Sequence, residues 1–589
     1  MRRLAAFALF ALIVAGCGTS TKPAPPPTAT AQTESVAEPA PRTGGTLRIG
    51  VPAPGVWFDF ELARCCLART LLSYNGQPTA EGGTVLHPDI AAELPTVSAD
   101  GLTWTFRLKH GLHYASPYED VEIVAPDAIR GIEHSVSPDA EDYYGSLYLV
   151  IVGAQEFADG RADSISGLEA SDPYTLIVHL SKPTGDLGHR FVFPESAPIP
   201  ADAAAGHEKD IPSYIAPSGP YMIEAAGNDS LTLVRNPTWD PATDSLRAAY
   251  PDRIEFSMGG SPEEYAAKVD SGKLDIAVDI KTVAPEEQIR RYEGDSQLAS
   301  RVFATPNDTI DFVTMNVAAP PFDDLHVRKA VSLAIDKQGL RELAGGADAG
   351  TIATHIAPDS LEDNVLLDYD PYPSPGAGGD SEAAKAEMAQ SRYDSNGDGV
   401  CDDRACERVR AFTRTDLPGS LDEAELVARS LRAIGIDLSV RPVDDPNKFY
   451  AMIFDPSAQV PLALGTGWAK DFPNGSSYFS DQFASAHIAN GNPFLVGATA
   501  EQLAGWGYAA TSVPSVDDKI DECSALVGGA QVHCWAELDQ LLMEDVVPLV
   551  PWLSETTVRV VSGRVASYTI DQFGTIPAFD RIALKPGEG

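Results

Sequence analysis

The segment Asp394-Ser-Asn396-Gly-Asp398-Gly399-Val-Cys-Asp402-Asp403 carries oxygen-bearing side chains at alternate positions, followed by a glycine. Such spacing wraps a chain around a hard cation such as calcium, and Gly399 permits the tight turn. The twelfth position, where an EF-hand supplies a bidentate glutamate, is Ala405, so closure would fall to Asp402. The candidate calcium ligands are therefore Asp394, Asn396, Asp398 and Asp402, in a structural role. The competing reading is an acidic turn that binds no metal. No cofactor is required by any other motif. The chain has no G-x-S-x-G, no H-E-x-x-H and no phosphate-cradling glycine loop, so it is not expected to be an enzyme, a hydrolase being the remote alternative.

Cysteine is the other residue type that could do covalent chemistry. Apart from Cys17, six cysteines fall in three close pairs. An even number fits disulfides in an exported chain. Cys401 with Cys406 and Cys523 with Cys534 are short loop closures, the first of which would staple the acidic segment. Adjacent Cys65 and Cys66 would need a strained vicinal bond, so one is expected to pair elsewhere or to stay buried and reduced. Zinc is a weaker alternative, because the spacings do not repeat a ligand pattern.

Export is argued from the amino terminus. Arg2 and Arg3 precede the apolar run Leu4 to Val14, and Val14-Ala15-Gly16-Cys17 follows. The stretch resembles a bacterial lipoprotein signal peptide (1–16) with its lipobox, which implies cleavage before Cys17 and lipidation of its sulfur. A run of about 11 apolar residues is too short for a membrane span, which needs about 20. Residues 17–43 are rich in Pro, Thr, Ala and Ser and read as a flexible, lipid-anchored linker.

The elements that must position any site come next. At 44% hydrophobic and 22% charged, the chain is globular in composition, and its length calls for two or three lobes. A net charge of −41 disfavours nucleic acid and anionic lipid headgroups as partners. Gly45 to Val51 reads as a strand. Leu102, Trp104, Phe106 and Leu108 alternate with polar residues in a β region running to Tyr114. Tyr221–Ala225 and Leu231–Arg235 form a hairpin about Gly227-Asn-Asp229. Ser261-Pro-Glu-Glu264 opens a helix that Gly272 ends, and a strand follows. Ser420-Leu-Asp-Glu423 opens another helix, before the strand Ile436–Val440. These β-α-β units give an α/β fold class.

Several segments, in order, resemble the large extracytoplasmic solute-binding proteins of peptide-type (family 5) ABC transporters. They are Gly44-Gly45-Thr46-Leu47, Gly101-Leu-Thr-Trp-Thr-Phe-Arg-Leu108, Pro126-Asp-Ala128, Ser218-Gly-Pro-Tyr221 with Arg235-Asn-Pro237, and Pro321-Phe-Asp-Asp324 with Val327-Arg328 and Ala334-Ile-Asp336. The resemblance implies a two-lobed clamshell with an extra subdomain. Its hinge lobe would comprise 44–86, 210–306 and 554–589, the extra subdomain 87–209, and the second lobe 307–553. It also implies capture of a peptide or similar small solute for ABC permease subunits, by a monomer held on the extracytoplasmic face of the cell membrane. A sugar, opine or metal-chelate binder and a sensor or adhesin lipoprotein share this fold and are the alternatives. Within Gly467-Trp468-Ala469-Lys470-Asp471-Phe472-Pro473, Asp471 occupies the place of the acid that accepts a peptide's α-ammonium. Trp468, Phe472 and Tyr478 are the accompanying ligand-binding candidates, and Lys470 threatens to neutralise the acid beside it.

Overall fold

The computed structural model describes residues 42–54, 56–138, 143–203, 216–279 and 281–586. The apolar leader, Cys17 and the linker up to residue 41 lie outside the described residues.

Three larger sheets organise the chain. The first has the strand order Ile276–Ala277, Thr46–Val51, Arg253–Met258, Ser230–Arg235, Tyr221–Ala226. Thr46–Val51 runs parallel to both of its neighbours, whereas the hairpin strands are antiparallel. Leu47, Ile49 and Val51 are buried, as an apolar strand laid between two others requires. The expected helix after this sheet is Pro262–Asp270, capped where Ser261 Oγ accepts from Glu264 N at 3.2 Å.

A four-stranded antiparallel sheet, Thr96–Val97, Thr103–Arg107, Thr175–His179 and Leu168–Asp172, carries the second core. Trp104, Phe106 and Leu108 are buried while Arg107 is exposed, as the alternation predicted. The strand stops at Arg107 rather than reaching Tyr114. Residues 111–114 belong to a turn-rich return whose Leu112 and Tyr114 fill the same core.

The third sheet has six strands, in the order Gly350–Thr351, Leu549–Val560, Val302–Met315, Leu462–Ala469, Val409–Arg414, Leu438–Val443. Its two long central strands are antiparallel over most of their length and tie the first sheet to the third, since Val561 bridges Ile276. Their register breaks between Pro306 and Ile310, where Asp308 takes φ 54°. A bend and a broken ladder at that point re-aim the side chains that follow.

Arg328 does not pair with Asp323 or Asp324; its guanidinium donates to the carbonyls of Val546 (2.8 Å) and Phe322 (2.6 Å). Asp324 instead caps the helix Leu325–Ala334 through the amide of His326, and Asp323 is taken by Arg392 and Tyr393. The helix Ser420–Arg432 opens at Ser420 as expected, with the Ser420 hydroxyl turned back to the Arg414 carbonyl.

All six described cysteines are bonded. Cys401–Cys406 and Cys523–Cys534 close as expected. Contrary to expectation, Cys65 and Cys66 are joined to each other. They sit in the buried π-helical turn Ala63–Leu67.

Candidate functional site

The strand Leu462–Ala469 and its partner Val302–Met315 present alternate side chains to two different spaces. Gly465, Gly467 and Ala469, together with Thr309 and Asp311, line a cavity of about 580 Å³. Thr466 and Trp468, with Phe312 and Thr314, face a separate pocket on the other side of the sheet. The division follows from the two-residue period of a strand. Gly467 lies directly opposite Asp311, and a Cβ there would stand 2.5 Å from the Asp311 carboxylate. Glycine at this position keeps both the cavity and the acid in place.

Other walls of the cavity come from outside the six-stranded sheet. Tyr144 and Phe60 come from one side and Phe573 from the carboxyl-terminal segment. Their rings meet: Phe60 stacks on Phe573 at 5.7 Å between centroids and approaches Tyr144 at 5.7 Å. An aromatic wall of this kind offers broad apolar contact without fixing one ligand shape. Gly574 is required where it stands, since a Cβ would fall 1.5 Å from Glu61 Oε1.

Asp471 lies at the end of the strand, half-buried and lining the cavity. Its Oδ1 accepts from the Tyr144 hydroxyl at 3.1 Å. Among the described residues no cation pairs with it. Burial, and then the nearby Asp481, push its carboxyl up to about 7, against the Tyr144 hydrogen bond. Lys470 does not neutralise it. Its ammonium runs to Asp308, which also takes Gln572 (2.7 Å) and Ser360 (2.8 Å).

The remaining charges around the cavity are mostly spoken for. Lys281 pairs with Glu555 at 3.0 Å. Burial opposes its charge, but Glu555 and then Asp311 outweigh that and raise its pKa. Asp311 is held well above the usual carboxylate range by burial and by Glu555. Arg414 donates to Asp416 and to the Tyr450 hydroxyl (3.0 Å). Glu61 shares Arg64 with Asp571. Burial carries its pKa up to about 7 despite Arg64, and its Oε1 has no hydrogen-bond partner.

The other sequence candidates lie elsewhere. Tyr478 is fully buried and donates to the Trp468 carbonyl at 2.8 Å. Trp468 gives its indole N–H to Ser477 O at 3.2 Å. Both brace the Gly467–Asp471 segment from behind and neither lines the cavity. Phe472 is buried between His189 and Phe193 of the four-stranded body, at 5.9 and 6.0 Å between centroids. It therefore holds two bodies together, as do Gly185 N to Ser524 O at 2.8 Å and Ser476 with Asp186. In the acidic segment, Asp394 accepts the amides of Gly397 and Gly399, each at 2.7 Å. Asn396 accepts Asp398 N, Asp398 accepts Val400 N, and Asp402 accepts Ser395 N. These bonds shape the loop from within. Phe60, Glu61, Tyr144, Lys281, Arg414 and Phe573 were not anticipated, and no local pattern marks them.

Comparison with known proteins gives this geometry a family. The model of the bacterial extracellular solute-binding proteins, family 5, matches residues 85–490. The chain is 26% identical over 287 residues to the glutathione-binding protein GsiB of Shigella flexneri, covering 48% of this chain and 50% of that protein. GsiB of Escherichia coli K12 matches over the same span at 25%. The chain thus spans about half the length of the curated relatives it matches. Among solved structures, clavulanic acid biosynthesis oligopeptide binding protein 2 superposes with a TM-score of 0.77 at 27% identity, over 92% of this chain and 96% of the other. Haemophilus influenzae OppA, solved with the peptide RPPGFSPFR, has a TM-score of 0.64 at 18% identity, over 92% and 99%. The mixed α/β architecture is that of these peptide-binding structures.

Proposed function

Because the chain belongs to the family 5 bacterial extracellular solute-binding proteins, we propose that it is the extracytoplasmic substrate-binding component of an ABC importer. Its ligand is a peptide or a small solute with a peptide-like ammonium group, glutathione-like tripeptides included. One observation carries the reading. A cavity of about 580 Å³ lined by separate bodies presents a carboxylate, Asp471, that pairs with no cation among the described residues. That volume falls within the range that encloses a single small ligand.

Binding an ammonium at Asp471 would supply the missing countercharge. The charge-assisted hydrogen bond is strengthened by the low-dielectric surroundings, and it lowers the carboxyl pKa again. Phe60, Phe573 and Tyr144 would pack against the ligand's apolar parts. Lys281 and Arg414 are the cationic groups toward which a ligand carboxylate would be drawn. Contacts made by ligand to more than one body favour the closed arrangement, which a permease can read. The lipobox-like segment supports attachment to the membrane through Cys17, and the acidic composition is consistent with a body that works away from anionic surfaces.

Native mass spectrometry of the full chain tests the reading. A releasable peptide-sized mass that Asp471→Asn diminishes supports it. A sugar-like or chelate-like adduct indifferent to Asp471 overturns the peptide assignment while keeping the family.

A further inference from the structure

The second lobe holds a buried cluster, remote in sequence from the cavity-lining strand, that the proposed function does not use. His355, Glu362 and Asp539 each offer a ligand atom, and these atoms all lie within 4.8 Å of one another. Glu362 ends the short helical turn Asp359–Glu362, His355 lies just before that turn, and Asp539 comes from the helix Gly528–Leu541. His355 is 4% exposed, and Glu362 and Asp539 are 0% exposed.

Two features distinguish this cluster from an ordinary ion pair. First, both carboxylate oxygens of Glu362 lack a hydrogen-bond partner although no part of the residue reaches solvent. An ionised carboxylate so placed is costly, and a protonated one would still need an acceptor for its hydrogen. Second, the histidine is already oriented. Its Nδ1 lies 3.0 Å from Asp539 Oδ2, and its Nε2 lies 3.3 Å from Asp359 Oδ1. Asp539 is fixed in turn by the amides of Ile356 (3.1 Å) and Ala357 (2.9 Å). A ring with one nitrogen against a carboxylate of the cluster and the other held by an outer carboxylate is how metal-bound histidines are set.

We propose that His355, Glu362 and Asp539 form a structural site for a first-row divalent transition cation of the zinc type. His355 ligates through Nδ1 and gives its Nε2–H to Asp359. Glu362 and Asp539 supply one oxygen each. One nitrogen and two carboxylate oxygens suit zinc better than calcium, which prefers an all-oxygen shell of six or more. Bringing atoms within 4.8 Å onto one ion at about 2.0–2.2 Å requires only side-chain adjustment. The ion would clamp the segment 355–362 to the helix that bears Asp539. Without metal, the cluster would rest on a protonated His355, which burial disfavours but Asp359 and Asp539 favour, moving its pKa up to about 10.

The test is zinc titration of the full chain after chelator treatment, read by calorimetry and by metal content after gel filtration. The expected result is one zinc retained per chain, lost with His355→Ala and with Glu362→Gln, and kept with Asp398→Asn in the acidic loop. Failure of the unmodified chain to retain zinc overturns the proposal, as does zinc that survives Glu362→Gln. Should the variants not fold, X-ray absorption on the zinc-loaded unmodified chain decides. A shell of oxygen with one imidazole supports the site, and one with sulfur or several imidazoles sinks it.

Discussion

Two buried groups of charges in this molecule are built on opposite plans. Around Asp89, two arginines and two aspartates close on one another: Arg69 to Asp89 at 2.7 Å, Arg247 to Asp89 at 2.9 Å and to Asp244 at 3.1 Å. Arg69 spends its remaining donors on the carbonyls of Asp89 and Thr243 and on the Thr243 hydroxyl. Opposed by burial but favoured by Arg247 and Arg69, the Asp244 carboxyl is pulled down to about 2. Around the cavity, by contrast, Asp471 and Glu61 are both pushed up to about 7, chiefly by burial. The first group is neutral and satisfied, so it can only hold the fold. The second leaves carboxylates short of positive charge at the wall of a cavity, so it can take a cation from outside. Incomplete pairing, and not burial or charge alone, separates the proposed binding residues from the structural ones.

The largest expected effect lies in the satisfied group. Asp89→Ala strands Arg69 and Arg247 in the interior and should cost about 3–5 kcal/mol of unfolding free energy. Urea denaturation measures it, and a loss below about 1 kcal/mol would end the distinction drawn here.

Asp471→Asn should do the reverse. Affinity for an amine-bearing peptide should fall roughly ten- to a hundredfold, the scale of a hydrogen bond to a charged group, with unfolding stability unchanged or slightly higher. Isothermal titration and denaturation on the same variant give both numbers. A destabilised protein with unaltered affinity would move Asp471 into the structural class.

The pH dependence has a definite sign. The folded-state pKa of Asp471 is raised, to about 7 against an ordinary 3.8. The folded state therefore binds more protons over that interval, and this group's contribution to ligand-free stability declines as pH rises from about 4 to about 7. Affinity for an ammonium ligand should run the other way, weakening as pH falls through 7. Asp471→Asn should flatten both slopes, and a pH profile of binding that survives it would assign the effect to another group.

The smallest effect is expected in the acidic loop. Asp398 is exposed and uses Oδ1 to accept Val400 N at 3.0 Å. Asparagine can do the same, so Asp398→Asn should change stability by no more than about 0.5 kcal/mol in calcium-free buffer. A larger loss there would show that its charge matters.

How far these features could be read from the sequence depends on the range of the interaction that makes them. The alternation at Trp104, Phe106 and Leu108, the capping serine at Ser261 and the turn at Gly227 are short-range rules, and all appear in the structure. The ordered motifs about Thr46, Gly219 and Pro321 led to the family because they specify backbone turns and helix starts. The segment Gly467–Asp471 was found by its motif, but its motif could not assign faces. Trp468 proved to be on the far side of the sheet from Asp471, and Tyr478 in the interior.

What the sequence by itself determined is the α/β class, the strand alternations, two of the disulfides and the family. Each rests on contacts between residues near one another in the chain, or on a pattern of such contacts. Only the tertiary structure decided that Lys470 turns to Asp308, that Tyr144 and Phe573 meet Phe60 over the cavity, and that Glu362 lies beside His355 and Asp539. Those pairings span gaps of 84 to 513 residues except within the 355–362 segment. No local spacing can encode which distant side chain will supply, or withhold, a buried group's countercharge.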